Sequence, residues 1–150
     1  MIIRYEISDD EEIVIRVPSV GQREEDIRKA IESALSDKDE MLLYGDNGEC
    51  FVKKRDILFF ESFDSKVYAH TKDRVFRAPH KLFELEGILS PCFARISKST
   101  VANVSLISRI KRELVGNGEI GFYNSEKTAY FSRAYYKILD QKIKEMRNVK

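Results

Sequence analysis

Residues 56–78, DILFFESFDSKVYAHTKDRVFRA, contain three short apolar runs separated by turn signals, and they decide the fold class. The runs at 57–61, 67–71 and 75–78 are rich in β-branched and aromatic residues, whereas the FDSK and KDR segments between them are polar. Strands that are joined by so few residues must run in opposite directions, because a parallel connection needs a long crossover. The stretch therefore predicts an antiparallel meander of short strands.

The same pattern extends in both directions from this meander. Upstream, the Gly45–Gly48 turn cluster predicts a hairpin between two strands, MLLYGD and GECFVKK. Downstream, Pro79 is expected to open a helix over KLFELEGIL, and strands follow at FARIS, EIGFYN and AYF. Residues 132–146 predict an amphipathic C-terminal helix with Ser132 as its N-cap. Residues 41–150 are thus expected to form one α+β domain that is mostly β, with few helices.

The first forty residues have a different pattern. Strands are predicted at 2–6 and 12–17, and a helix at 22–36, in which Ile27, Ala30, Ile31 and Ala34 recur at helical spacing. A β-β-α unit of this size buries too little surface to be stable alone. We therefore predict a small N-terminal extension, residues 1–40, that precedes the main domain.

Charge is distributed unevenly although the net charge is only +1. Residues 1–50 carry six Lys and Arg against fourteen Asp and Glu, a balance of −8. Residues 51–150 carry twenty against eleven, a balance of +9. Such asymmetry indicates an anionic partner for the basic part, although a solvated basic face would give the same count.

Several classes of protein and site are disfavoured by the sequence. No apolar run is long enough to span a membrane and the acidic start differs from a signal peptide, so we expect a cytoplasmic protein. Cys50 and Cys92 are expected to be reduced thiols. Nucleophile elbows, phosphate-binding glycine motifs and paired metal-ligand spacings are absent from the sequence. We therefore expect no catalytic activity, cofactor, metal or small-molecule substrate.

Three short polar segments combine a basic residue with small hydroxyl side chains. They are residues 64–66 (DSK), residues 95–100 (RISKST) and residues 132–133 (SR). Cations displace counterions from phosphates, hydroxyls bond phosphate oxygens, and a long Lys or Arg reaches guanine in the major groove. Ordinary loop chemistry with a helix cap explains the pattern equally well.

At these residues the chain resembles the LytTR family of bacterial DNA-binding domains. The resemblance runs from about Leu42 to Ile143. Its most specific motifs are FARISKSTVAN at 93–103 and FSRAY at 131–135. The segments DILFFES at 56–62 and APHKLFELEGIL at 78–89 also match. It implies an elongated arrangement of short antiparallel strands whose loops, rather than a recognition helix, enter successive major grooves.

The resemblance also implies which residues meet double-stranded DNA. Three contact positions of the family correspond to Lys66, Lys98 and Arg133. Neighbouring residues are expected to support the loops or touch phosphate: Arg95, Ser97, Ser99, Thr100, Asn103 and Ser132. Asn103 is equally suited to a structural role in which it ties the turn.

Two departures from the family pattern have consequences. Many members carry His-Arg-Ser where this chain has Ser97-Lys98-Ser99, and Lys lacks the bidentate fork of Arg, so the base preference is expected to differ. Many members also follow a phospho-acceptor receiver domain, for which residues 1–40 are too short. The chain thus resembles the stand-alone subtype, in which a membrane protein often replaces phosphorylation as the control.

The sequence therefore predicts a bacterial transcription regulator that binds a promoter with paired repeats, as a homodimer on DNA. The acidic extension is a candidate for contacts with a membrane-protein regulator or for dimerisation. The alternative is a protein-interaction module whose basic half binds an acidic protein partner.

Overall fold

The computed structural model describes residue 16, residues 21–35 and residues 39–147. The chain divides into two compact units, residues 1–38 and residues 39–150. In the first unit the described part is helix α1, Gln22–Leu35, which confirms the helix predicted at 22–36. Glu24 and Glu25 lie in its first turn, where they complement the positive helix N-terminus. The strand predicted at 2–6 lies outside the described residues, as does that at 12–17 except for Arg16, which is in neither helix nor strand.

The second unit contains ten strands and two helices among its described residues. The strands are β1 Glu40–Gly45, β2 Gly48–Lys53, β3 Phe59–Phe63, β4 Lys66–His70, β5 Val75–Ala78, β6 Phe93–Ser97, β7 Thr100–Asn103, β8 Ile107–Arg112, β9 Gly118–Phe122 and β10 Thr128–Phe131. The helices are α2 Leu82–Ile88 and α3 Arg133–Arg147, and short 3₁₀ turns lie at Lys54–Asp56 and Val104–Leu106. The α+β, mostly β fold predicted from sequence is confirmed.

Every strand pair in the two sheets is antiparallel. One sheet has seven strands in the order β2-β1-β5-β4-β3-β7-β6, and the other has three in the order β10-β9-β8. The meander β3-β4-β5 lies within the larger sheet as neighbouring strands, as predicted. Helix α2 begins at Leu82, three residues after Pro79, so the expectation that Pro79 opens the helix was wrong by one turn.

Two hydrophobic clusters lie on opposite faces of β3, β6 and β7. Phe60, Phe93 and Val101 belong to the cluster that includes Leu82 and Leu85 of α2. Their chain neighbours on the same strands, among them Phe59, Ala94 and Ala102, belong to the cluster that includes the three-stranded sheet and Leu139 of α3. Successive side chains of a strand point to opposite faces, so these three strands are covered on both sides. This double burial holds the turns at the strand ends in fixed positions.

Candidate nucleic-acid interface

Strand register brings the three predicted basic segments to one edge of the second unit. Strands β3 and β4 join through a turn flanked by the pair Phe63 and Lys66, and Glu61 of β3 pairs with Thr100 at the start of β7. The β3–β4 turn and the β6–β7 turn therefore lie at the same end of neighbouring strands. The junction of β10 with α3 joins them, because the Ser132 N–H donates to the Ile96 carbonyl at 3.0 Å.

We call this edge the cation face and define it by Lys66, Lys98 and Arg133 with the turns that carry them. All three residues are exposed. Among the residues that the structure describes, none of the three side-chain cations has a hydrogen-bond or ion-pair partner. Their charge is therefore available to an external anion.

The β3–β4 turn is set by backbone conformation. Asp64 and Ser65 both adopt positive φ, at 50° and 63°, between the paired residues Phe63 and Lys66. Two consecutive residues of positive φ define the tight hairpin turn whose twist matches that of the flanking strands. Lys66 begins β4 directly after this turn, so its direction is fixed by the strand.

The β6–β7 turn is braced by Arg95. Its Nε donates to the Ser97 carbonyl at 2.8 Å, and one Nη donates to the Lys98 carbonyl. The other Nη lies 3.0 Å from the Glu86 carboxylate, with which it forms a salt bridge. One guanidinium thus donates hydrogen bonds to two carbonyls of the turn. The Arg95 side chain therefore supports the turn that carries Lys98 and is itself largely withdrawn from solvent.

The hydroxyl residues of this turn separate into exposed and buried positions. The Ser97 hydroxyl accepts from the Ser99 N–H at 3.2 Å, and the two hydroxyls lie 3.4 Å apart. The Ser99 carbonyl in turn accepts from the Ser62 N–H at 2.8 Å, which ties the turn to β3. Thr100 is only 6% exposed. Ser97 and Ser99 therefore border the surface, whereas Thr100 is part of the interior.

Asn103 has the structural role that the sequence left open as an alternative. It is 2% exposed, and its Nδ2 donates to the Ile57 carbonyl at 3.1 Å. Its Oδ1 accepts from the Ser105 N–H at 3.2 Å and from the Ser105 hydroxyl at 2.6 Å, and so caps the 3₁₀ turn that separates β7 from β8. A buried amide with these bonds is committed to the fold.

The start of α3 is held by a residue that the sequence interpretation did not assign to the site. Helix α3 begins at Arg133, whose N–H donates to Asn117 Oδ1 at 2.8 Å. Ser132 occupies the expected N-cap position, but among the described residues the side-chain acceptor at this helix start is Asn117. The Gly116-Asn117-Gly118 sequence is typical of a hairpin turn, and a capping contact sixteen residues away has no local signal in the sequence.

An open groove of about 530 Å³ lies along the cation face. Ser97, Ser99, Asn117 and Ser132 line it with polar groups, and Tyr130 adds an aromatic ring that is 66% exposed. Glu61 and Glu113 also line the groove, and none of its lining residues in the described part of the chain is a Lys or Arg. The groove is therefore a polar surface with both donors and acceptors, and the three cations lie on the segments next to its lining residues.

Strand β8 carries further basic residues that the sequence interpretation did not single out. Five of its six residues are exposed, and they include Arg109, Lys111 and Arg112. The Arg112 guanidinium lies 4.3 Å from the centre of the Tyr136 ring. This strand adds exposed basic groups outside the three predicted segments.

The remaining expectations concern metals, thiols and membranes. Within residues 16, 21–35 and 39–147, no group of three or more His, Cys, Asp or Glu side chains could hold a metal ion. Cys50 and Cys92 are free and half-buried. No helix in the described part of the chain is long and apolar enough to cross a membrane.

Comparison with known families identifies the kind of domain that carries this face. The sequence profile of the LytTr DNA-binding domain matches residues 47–144. The chain belongs to the LytTR family of DNA-binding domains. The resemblance predicted from the motifs at 93–103 and 131–135 is therefore confirmed, and the chain carries a domain of a DNA-binding family and not of an enzyme family.

Curated relatives and a solved structure agree with the family. Proteins of Staphylococcus aureus strains NCTC 8325 and N315, named as uncharacterized HTH-type transcriptional regulators, are 29% identical over 87% of this chain and 88% of their own length. The LytTr DNA-binding domain of a Bacillus cereus protein, described as a methyl-accepting/DNA response regulator, superposes with a TM-score of 0.64 at 20% identity. That match covers 71% of this chain and 97% of the other.

The names of those relatives refer to a helix-turn-helix, which this fold does not display in its described residues. Helices α1 and α2 are separated by strands β1–β5, and α2 and α3 by strands β6–β10. A helix-turn-helix needs two helices joined by a turn of a few residues. In this chain, a strand start, a turn and a helix start present the exposed cations, and not a pair of helices.

Proposed function

We propose that the chain is a sequence-specific transcription regulator whose cation face enters the major groove of promoter DNA. One observation supports this most directly. Lys66, Lys98 and Arg133 lie at the start of β4, in the β6–β7 turn and at the start of α3, three segments that meet at one edge, and their charges have no partner among the described residues. A protein that reads bases needs its cations unpaired and positioned by a rigid framework, as these are.

Roles follow from the chemistry of each group. Arg133 has the planar fork that bonds guanine O6 and N7 together, whereas Lys98 supplies a single charged donor. Ser97, Ser99 and Ser132 have hydroxyls at the rim of the groove that suit phosphate oxygens. Arg95 positions Lys98 through the turn carbonyls. Thr100 and Asn103 are buried and take no part in the proposed contacts.

Paired repeats and a homodimer are part of the proposal. A single cation face covers a short base sequence, so specificity in a genome needs two copies on neighbouring half-sites. The acidic extension, residues 1–40, is proposed to contact the second copy or a membrane-protein regulator. The place of action is then the cytoplasm, where bacterial DNA lies.

Selection of bound sequences from a random DNA pool tests the proposal. We expect a pair of short repeats about one helical turn apart, bound with an affinity that falls steeply as salt rises. The double variant K98A/R133A should lose this selectivity. Lys53→Ala is the matched control, because Lys53 is an exposed lysine on β2 at the far edge of the seven-stranded sheet. A pool without enrichment would favour the protein-interaction alternative.

A further inference from the structure

The tip of the β8–β9 hairpin exposes two aliphatic side chains beside the cation face. Leu114 is fully exposed, at 107%, and Val115 is 65% exposed. Strand pairing ends at Arg112 and Gly118, and the residues between them form a closed turn. The Glu113 N–H donates to the Asn117 carbonyl at 2.8 Å, and the Gly116 N–H donates to the Glu113 carbonyl at 3.1 Å. The tip is therefore an ordered turn that presents apolar groups to solvent.

This tip is attached to Arg133 by two contacts. Asn117 accepts the Arg133 N–H, as described above. Gly116 has a φ of 94°, and a Cβ atom at Gly116 would lie 2.9 Å from Arg133 Cγ. The side-chain stem of Arg133 thus packs against the backbone of the turn. The two residues that follow Val115 in the turn are thus the ones that contact Arg133.

The surroundings of the tip argue for a nucleic-acid occupant. Asn117, which follows the tip, lines the same groove as Ser97, Ser99 and Ser132, whereas Glu113, which precedes the tip, adds a carboxylate to that lining. Lys111 and Arg112 precede the tip on the exposed strand β8. Two aliphatic side chains are far too few for a protein interface, which buries roughly 800 Å² on each partner. Their area suits a contact with a single small apolar group.

We propose that Leu114, with Val115, contacts thymine methyl groups next to the bases read by Arg133, and so adds a preference for thymine at those positions. The thymine C5 methyl is the apolar group that the major groove presents among hydrogen-bonding edges. Packing it against an aliphatic side chain removes both from water. The inference rests on the proposed function, because it places this tip in the groove that the cation face enters.

Replacing thymine by uracil in the DNA tests this contact directly, since uracil lacks only the methyl group. The probe is the full-length protein on an operator recovered by selection, with each thymine replaced singly. We expect wild-type affinity to fall about fourfold at one or two positions per half-site, the effect of losing one buried methyl-sized group. Leu114→Ala should bind the thymine operator about fourfold more weakly and be indifferent to uracil at those positions.

A matched variant separates this contact from general loss of apolar surface. Phe51 is 73% exposed on β2, at the far edge of the seven-stranded sheet. Phe51→Ala should keep both the wild-type affinity and the wild-type sensitivity to uracil. Because Leu114 is fully exposed, Leu114→Ala should also keep the wild-type melting temperature, and Leu114→Met, which retains an aliphatic side chain, should restore part of the sensitivity.

Two results would overturn the inference while leaving the proposed function in place. One is a specific operator on which uracil has no effect at any position. The other is a Leu114→Ala protein that remains as sensitive to uracil as the wild type. Failure to recover any operator would instead overturn the proposed function, and this inference with it.

Discussion

The basic side chains that lie near the two ends of the β3–β4 hairpin have opposite surroundings. At the turn end, Lys66 and Lys98 are exposed, and within the described part of the chain neither ammonium has a partner. At the other end, Lys127 Nζ donates to the Arg74 carbonyl at 2.6 Å and the Ser125 hydroxyl donates to the Lys72 carbonyl at 3.0 Å. These bonds join the β4–β5 loop to the β9–β10 loop.

The difference separates a lysine that bonds the fold from lysines that have no partner among the described residues. A lysine that bonds a carbonyl stabilises the folded chain and has little left to offer an anion. Burial lowers the pKa of Lys127, which fits a side chain absorbed into the structure. Lys66 and Lys98 make no such bond among the described residues, so we expect substitutions there to change the stability little.

The largest expected effect tests this division on DNA binding. Lys98→Ala and Arg133→Ala should each weaken binding to the selected operator by about 1–3 kcal/mol, because each removes a proposed base contact, with little change in melting temperature. Lys127→Ala should do the reverse and lower the melting temperature while affinity per folded molecule stays unchanged. Fluorescence anisotropy and thermal unfolding measure the two properties. If Lys98→Ala and Arg133→Ala both bound the operator as tightly as the wild type, the proposal that these two residues contact bases would be refuted.

The second prediction concerns pH at the end opposite the cation face. Burial, with a contribution from the nearby Lys127 charge, lowers the pKa of His70 to about 4. The ring stacks on Phe59 at 4.3 Å, and Nε2 lies 3.9 Å from the Glu61 carboxylate. The folded chain therefore keeps His70 neutral where an unfolded chain, with an ordinary pKa near 6.5, takes up a proton.

The direction in which the stability changes with pH follows from this proton uptake. Stability is fully present above pH 6.5 and is lost as the pH falls towards 4, because only the unfolded chain gains the proton. We expect a loss of about 2 kcal/mol, discounted from the full shift for the residual solvent contact of a side chain that is 19% exposed. His70→Phe keeps the ring and removes the titration, so urea unfolding between pH 4 and 7.5 should show a flatter profile. Identical profiles would contradict the shift.

The third prediction concerns Arg95, which lies behind the cation face and not on it. Arg95→Ala removes two bonds to turn carbonyls and the salt bridge to Glu86, and it should cost about 1.5 kcal/mol in operator affinity, because Lys98 loses its fixed position. Glu86→Gln is the matched control, since it removes the salt bridge and keeps both turn bonds. If it reduced affinity as much as Arg95→Ala, the salt bridge and not the turn bonds would position Lys98.

The turn at Lys98 could be predicted from sequence because its supports are local. Arg95, Ser97 and Ser99 all lie within three residues of Lys98, so one continuous motif contains the cation and its bracing. The first and last residues of strands β5 and β6 were also predicted, because turn residues flank each of these strands in the sequence. Residues 101–114 contain no such turn signals. Only the structure shows that the Asn103 amide divides this stretch into β7, a 3₁₀ turn and β8.

Arg133 is the opposite case, because its supports lie in another hairpin. Asn117 and Gly116 meet Arg133 only after β9 and β10 pair, and no spacing in the sequence encodes that contact.

The prediction with the smallest expected effect concerns the bond between Asn117 and the start of α3. Asn117→Ala should cost about 1 kcal/mol of stability by leaving the first N–H of α3 without its acceptor, whereas Ser132→Ala should cost clearly less. It should also lower operator affinity modestly, because the direction of Arg133 depends on the same bond. Urea unfolding of both variants, with affinity measured in parallel, distinguishes the caps; a greater loss in Ser132→Ala would identify Ser132 as the cap in solution.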